Sequence, residues 1–210
     1  MDKCSYFIEN KAIFGSFPTQ DEVNKLEAMG VRFFVNLTLP SEPKIVQYST
    51  KYKTISYPIH DKCIPKDYVG FCRFVYGLCK ILQGLDNDEK MYIHCKGGHG
   101  RSGIVVAVLL AVYHNISAEK ALDMTRKCHQ NRLIMRDKWR KIGAPQTNRQ
   151  REFVCKLLEP LDIDSVDWIT NFDSPDFSHQ LLHTYFRPLV STKSTETSTF
   201  LTNLRNEYLS

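Results

Sequence analysis

The sequence predicts an α/β fold: a central, mainly parallel sheet flanked by helices, followed by a C-terminal extension. Three observations carry that reading. Strand-like and helix-like runs alternate through the first 158 residues, the pattern of a doubly wound sheet. Val31 to Leu39 is mostly apolar, as a strand covered on both faces should be. Met91 to Val105 reads as a buried strand, a glycine-rich loop and an apolar helix. In such sheets the functional site lies at the carboxyl end of a strand.

Residues 6 to 14 read as an opening hairpin turning at Glu9-Asn10-Lys11, and Gly15-Ser16-Phe17-Pro18 breaks it. Thr19 or Gln20 then starts a helix with Val23, Leu26 and Met29 on one face, stopped by Gly30. After the Val31 strand, Pro40 to Tyr48 is a loop or short helix. Thr54 to Ile59 is the next strand and delivers His60 and Asp61 into a loop ending at Pro65. Tyr68 to Leu82 has helical apolar spacing at Phe71, Phe74, Val75, Leu78 and Leu82, with Asp67 as its cap. Beyond the glycine-rich loop come helices over Ser102 to Tyr113 and from Ser117, the N-cap, to about Gln130. A last core helix covers Asn148 to Leu158.

The chain has 210 residues, enough for one domain with a proper core, read as residues 1–160, plus an appendage, residues 161–210. Its net charge of +5 is unevenly spread. Residues 1–160 carry 25 Lys and Arg against 16 Asp and Glu; residues 161–210 carry 3 against 7. A basic first part suits anionic substrates, although excess lysine is equally a solvated surface. The acidic, aromatic appendage has a Ser/Thr-rich, mobile stretch at Ser191 to Thr199, and Phe200, Leu204 and Tyr208 beyond it have the spacing of a terminal helix suited to docking within the chain or onto a partner. Residues 126 to 151 hold nine Lys or Arg and one acid, which fits a rim to a phosphate site or a solvated face; a nucleic-acid surface is not expected. No leader pattern opens the chain, and no apolar run reaches the roughly 18 residues that span a bilayer. Seven cysteines, an odd number without paired spacings, point to a reduced compartment, the cytoplasm with the nucleus as alternative, and no His/Cys cluster suggests zinc.

The chemistry concentrates between His94 and Gly103, His-Cys-Lys-Gly-Gly-His-Gly-Arg-Ser-Gly. Cys95 and Arg101 stand six positions apart with Ser102 directly after. This spacing curls the amides of Lys96, Gly97, Gly98, His99, Gly100 and Arg101 around one point above the thiol, at a helix N-terminus. Such a cradle binds a tetrahedral dianion. Arg101 can clamp two phosphoryl oxygens, and the same field favours a thiolate on Cys95. Those parts together describe attack of sulfur on phosphorus. An ATP-binding loop would need Lys-Ser/Thr after its last glycine, where Arg101-Ser102 stands instead. Hydrolysis also needs an acid for the leaving oxygen and a base for water, and one carboxylate can serve both in turn. Asp61 follows a strand, 34 residues before Cys95, on a loop flanked by Pro58 and Pro65. A hydroxyl at Ser102 can hydrogen-bond the departing thiolate, or cap the helix, or both. No metal or cofactor is required, because arginine and amides supply the charge.

This loop resembles the signature of the cysteine-dependent protein tyrosine phosphatase superfamily, and the small dual-specificity branch fits best. The run "IFGSFP…LEAMGVRFFVNLT" resembles the entry of dual-specificity phosphatases, so the resemblance covers residues 6 to 158. It implies a dual-specificity phosphatase-like fold and a phosphocysteine intermediate, with Asp61 in the place of the general acid. "YPIHD" looks like the lipid-phosphatase and kinase-associated branches. The resemblance also implies that His94 braces the loop and that Gln150, with Gln146 as alternative, positions water. A phosphorylated protein is the leading substrate, since no segment that would deepen the pocket for phosphotyrosine is present. Lys96 and His99 stand where the phosphoinositide 3-phosphatase related to tensin has basic residues, so a phosphoinositide is the alternative. An RNA 5′-triphosphatase and an inactive phosphate-binding module complete the rival readings.

Overall fold

A computed structural model describes residues 2–158. The extension read over residues 161–210, with its docking role, lies outside the described residues. The fold class is as the sequence predicts: a five-stranded sheet with helices on both faces.

β1 (Cys4–Ile8) and β2 (Ala12–Ser16) form the antiparallel hairpin, with Asn10 at φ 58° in its turn. α1 (Gln20–Ala28) begins at Thr19 with a reciprocal cap: Thr19 Oγ1 accepts from the Glu22 amide and Glu22 Oε2 from the Thr19 amide. β3 (Val31–Asn36) is shorter than the apolar run, because Asn36 Oδ1 accepts from both the amide and the hydroxyl of Thr38 and turns the chain. β4 (Lys53–Ser56) also ends early, ahead of Pro58, which has no N–H to give. The chain still follows β3, with Tyr57 donating to Asn36 O and Ile59 to Leu37 O. α2 (Tyr68–Gly84) starts on the Asp67 cap, and β5 (Lys90–Cys95) is the central strand. The order is β1-β2-β5-β3-β4, parallel except at β1.

After the loop come α3 (Arg101–His114), α4 (Ala118–Gln130), α5 (Asp137–Ile142) and α6 (Asn148–Leu158). The sequence reading missed α5, whose six residues, Asp-Lys-Trp-Arg-Lys-Ile, bury none of themselves and carry no apolar period. It also started α3 one residue late. Gly100 is the N-cap, so Ser102 lies inside the first turn and is not the cap.

Alternation along the strands divides the core. Ile13, Phe34 and Tyr92 face α1 with Val23 and Leu26. Phe14, Val35, Met91 and Ile93 face the other layer, built from α2, α3, α4 and α6. α3 runs through that layer, buried from Arg101 to Val112, so it is apolar all round beyond its first turn. Ile104 and Leu109 on it contribute about 1.5–3 kcal/mol each by burial. A helix this firmly held fixes the loop at its N-terminus.

Candidate functional site

The loop leaves the carboxyl end of β5 between two parallel neighbours. Ser16 of β2 is in register with Cys95, the Leu37 amide donates to His94 O, and the Phe17 amide donates to Lys96 O. Gly98 takes φ +73°, and a Cβ there would overlap the Gly15 carbonyl, so both conformation and space demand glycine. Gly97 is pressed similarly against the His99 ring. Within the described residues the Gly97–Gly100 amides donate to no protein acceptor, and α3 brings its own N-terminal amides. That leaves a ring of donors for an anion.

Cys95 is 3% exposed at the base of this ring, its Sγ 3.4 Å from Ser102 Oγ. Arg101, 1% exposed, is held by carboxylates. Its Nη1 and Nη2 donate to Glu42 Oε2 and Oε1 at 2.6 and 2.9 Å, Nη2 also to Asp61 Oδ1 at 3.1 Å, and Nη1 to Ile59 O at 3.1 Å. Its Nε is buried with no partner. One edge of the fork is therefore committed to Glu42. The edge left for an anion is Nε with Nη2, where Asp61 now sits. Burial opposes the Arg101 charge, but the Glu42 hydrogen bonds and the Cys95, Glu42 and Asp61 charges more than offset it, raising its pKa. The Arg101 hydrogen bonds hold the Glu42 carboxyl below its usual range.

Glu42 is the residue that sequence reasoning missed. It lies in the irregular Pro40–Tyr48 segment, where no motif marks it, yet its side chain is only 8% exposed. An acid two residues after Pro40, in the segment that leaves β3, a strand paired with β5, is the sole signal available. Glu42→Gln is expected to lower kcat/KM for an aryl phosphate on the order of 10²-fold, because a neutral amide orients the guanidinium poorly. Cys95 alkylation should be little changed; an unaltered kcat/KM would make the pair purely structural.

The supporting residues divide. His94 is fully buried among Phe17, Tyr48 and Tyr92, with Nε2 2.8 Å from Tyr48 Oη. It braces the loop's root against a neighbouring segment. Lys96 and His99 do not aim charge into the ring. Lys96 Nζ donates to Pro43 O at 2.9 Å; His99 stacks on Trp139 and shares a 2.7 Å hydrogen bond with His129. Gln150 is fully buried against Gly100 with its amide committed, Oε1 to the Thr147 amide and Nε2 to Cys63 O. The first is a helix cap and the second ties α6 to the Asp61 loop. Gln146 also borders Gly100, and its amide makes no hydrogen bond among the described residues. Both amides thus border Gly100, and each Gln150 end keeps one further hydrogen-bonding position. Among the described residues no three His, Cys, Asp or Glu side chains group as a metal site, and no helix is long and apolar enough to cross a membrane.

Burial holds His94 and His129 down to about 3 and His99 to about 4, with Arg132 adding to the last two. An unfolded histidine takes its proton near 6.5. Between those values the unfolded chain binds more protons, so stability is full above about pH 6.5 and falls as the pH drops towards 4. Urea midpoints are expected to be lower at pH 5 than at pH 7.5. Equal midpoints would mean that these rings are charged in the folded chain.

Residues 3–154 match the family described as "PTP-SAK: Swiss Army Knife protein, DSP-PTPase phosphatase domain". The chain is 38% identical over 190 residues to "Putative tyrosine phosphatase 197R" of Invertebrate iridescent virus 6, a match taking in 85% of this chain and 64% of that protein. It therefore spans just under two thirds of that relative's length. Tk-PTP in its active form superposes with a TM-score of 0.56 at 23% identity, over 75% of this chain and 96% of the other. PTPMT1 in complex with PI(5)P superposes with a TM-score of 0.54 at 20% identity, over 73% and 95%. At these identities the two structures are likenesses of fold.

Proposed function

Because the chain belongs to this dual-specificity type of the protein tyrosine phosphatase superfamily, we propose that it hydrolyses phosphomonoesters through a phosphocysteine on Cys95. The observation that carries the reading is one loop that puts Ser102 Oγ 3.4 Å from the Cys95 sulfur while its arginine meets Asp61 at 3.1 Å. A phosphoryl dianion settles on the loop amides and on Arg101 Nε, which needs no bond broken, then takes Nη2 from Asp61. The displaced carboxylate faces a dianion, which favours its protonation. Cys95 sulfur attacks phosphorus, the P–O bond breaks, and Asp61 gives its proton to the leaving oxygen. Water then attacks, Asp61 takes its proton, and the S–P bond breaks with Ser102 hydrogen-bonding the thiolate. Gln146 is the free amide at hand to orient that water.

Phosphorylated protein side chains, tyrosine and serine or threonine, are the preferred substrates, and the cytoplasm or nucleus is where they would be met. A lipid phosphate is the second reading, favoured by the fold shared with PTPMT1, which is seen with PI(5)P. Against it, Lys96 is turned to Pro43 O and His99 is neutral, so the loop lacks the added cations a polyphosphorylated headgroup wants. Turnover of phosphopeptides, phosphoinositides and 5′-triphosphorylated RNA by the full chain tests this. Phosphopeptide hydrolysis at the highest kcat/KM is expected. Faster inositide or RNA turnover would replace the substrate, and binding without turnover would leave a phosphate-binding module.

A further inference from the structure

Arg132 is a buried cation without an acid. It follows α4, is 2% exposed, donates from Nη2 to Phe14 O at 3.3 Å, and lies 4.3 Å from the Phe14 ring centroid. Its Nε is buried with no partner, and among the described residues no carboxylate pairs with it. An uncompensated guanidinium inside a protein is costly, so such a charge persists where something negative is set against it.

Three groups able to carry negative charge feel its field: Tyr92 and Cys95 of β5 and Cys4 of β1. Tyr92 donates its hydroxyl to Ser16 O at 2.6 Å, and burial keeps the phenol protonated. Burial likewise pushes the Cys4 thiol up. His99 and His129 also feel that field and are neutral; Arg140 bonds its carbonyl and brings a further positive charge. Cys95 remains, the group whose chemistry requires an anion. The connection is short: Phe14 is two residues before Ser16, the partner of Cys95 in the sheet, and Gly98 rests on Gly15 between them. His129 packs on Phe14 and binds His99 of the loop.

We propose that Arg132 is a positioning residue for the reaction, its buried charge holding the Cys95 thiolate and the phosphoryl group above it without touching substrate. This rests on Cys95 being the nucleophile. A buried charge is poorly screened, so it acts through several ångströms of strand. Arg101 binds the substrate from the front of the loop, while Arg132 charges the loop from its β2 flank.

The test compares Arg132→Met with Arg132→Lys in the full chain. Two readouts need no turnover: the rate of Cys95 alkylation by iodoacetamide at pH 6, followed by peptide mass, and protection by tungstate. Arg132→Met is expected to slow alkylation and weaken tungstate protection, each on the order of tenfold. Its urea midpoint should stay near that of the wild type, since Met fills the space beside the Phe14 ring and brings no buried charge. Arg132→Lys should recover most of both. A folded Met variant with wild-type alkylation and tungstate protection overturns the proposal; if Met does not fold, Arg132→Gln carries the same comparison. A wild-type chain that alkylates at Cys95 but hydrolyses no phosphomonoester removes the phosphatase reading and leaves the Arg132 comparison readable.

Discussion

Cys95→Ser is expected to lower the hydrolysis of p-nitrophenyl phosphate on the order of 10⁵-fold or more. A serine hydroxyl in this loop keeps its proton, and its oxygen cannot leave as easily as sulfur when water attacks. The cradle is otherwise untouched: Gly98 still rests on Gly15, and Arg101 is still held by Glu42. Tungstate should therefore bind the variant nearly as well as wild type, so the loss falls on kcat. Arg101→Lys should cost about 10³-fold or more despite keeping the charge, because an ammonium cannot use one edge on Glu42 and the other on phosphate. Residual turnover of a few per cent in Cys95→Ser would mean another nucleophile.

Asp61→Asn should separate substrates by their leaving groups. A serine alkoxide is a poor leaving group without a proton, whereas an aryl oxygen with a pKa of about 7 departs as the anion; general acid help is typically worth 10² to 10⁴-fold. The variant should lose about that factor on phosphoserine and phosphotyrosine peptides and far less on p-nitrophenyl phosphate. Asp61 is 56% exposed and its contact in the free chain is Arg101, so the substitution should leave the fold intact. Uniform loss on every substrate would assign the acid to another group.

The fold and the loop were legible because each rests on local rules. Glycines at a tight turn, a helix start at Thr19 or Gln20, and an apolar α3 are written in consecutive residues. Cys95, Ser102 and Arg101 follow from spacing alone, and Asp61 from a strand, a loop and two prolines. What escaped depends on partners distant in the chain. Glu42 meets Arg101 59 residues away, and nothing next to Glu42 announces it. His99 looked like a cation for substrate until His129, 30 residues on, took its nitrogen. The tie of Gln150 to the Cys63 carbonyl, 87 residues away, is likewise invisible in the sequence around it. Arg132 stood among nine basic residues with nothing to single it out until its burial was known.

The irregular segment between β3 and β4 is fastened at three points around the loop: Glu42 on Arg101, Pro43 O on Lys96, and Tyr48 on His94. It forms no sheet pairing or helix of its own, and Val46 in its middle is 85% exposed. Segments with so little buried apolar surface open at a fraction of the free energy that unfolds the whole chain. The proposed hydrolysis is thereby tied to a lightly packed segment of the described residues rather than to their core. Warming should silence that hydrolysis while the sheet and α3 are still folded, and cooling should restore it. An aryl phosphate or tungstate in the ring, pulling on Arg101, would hold that segment shut and narrow the gap between losing activity and losing the fold.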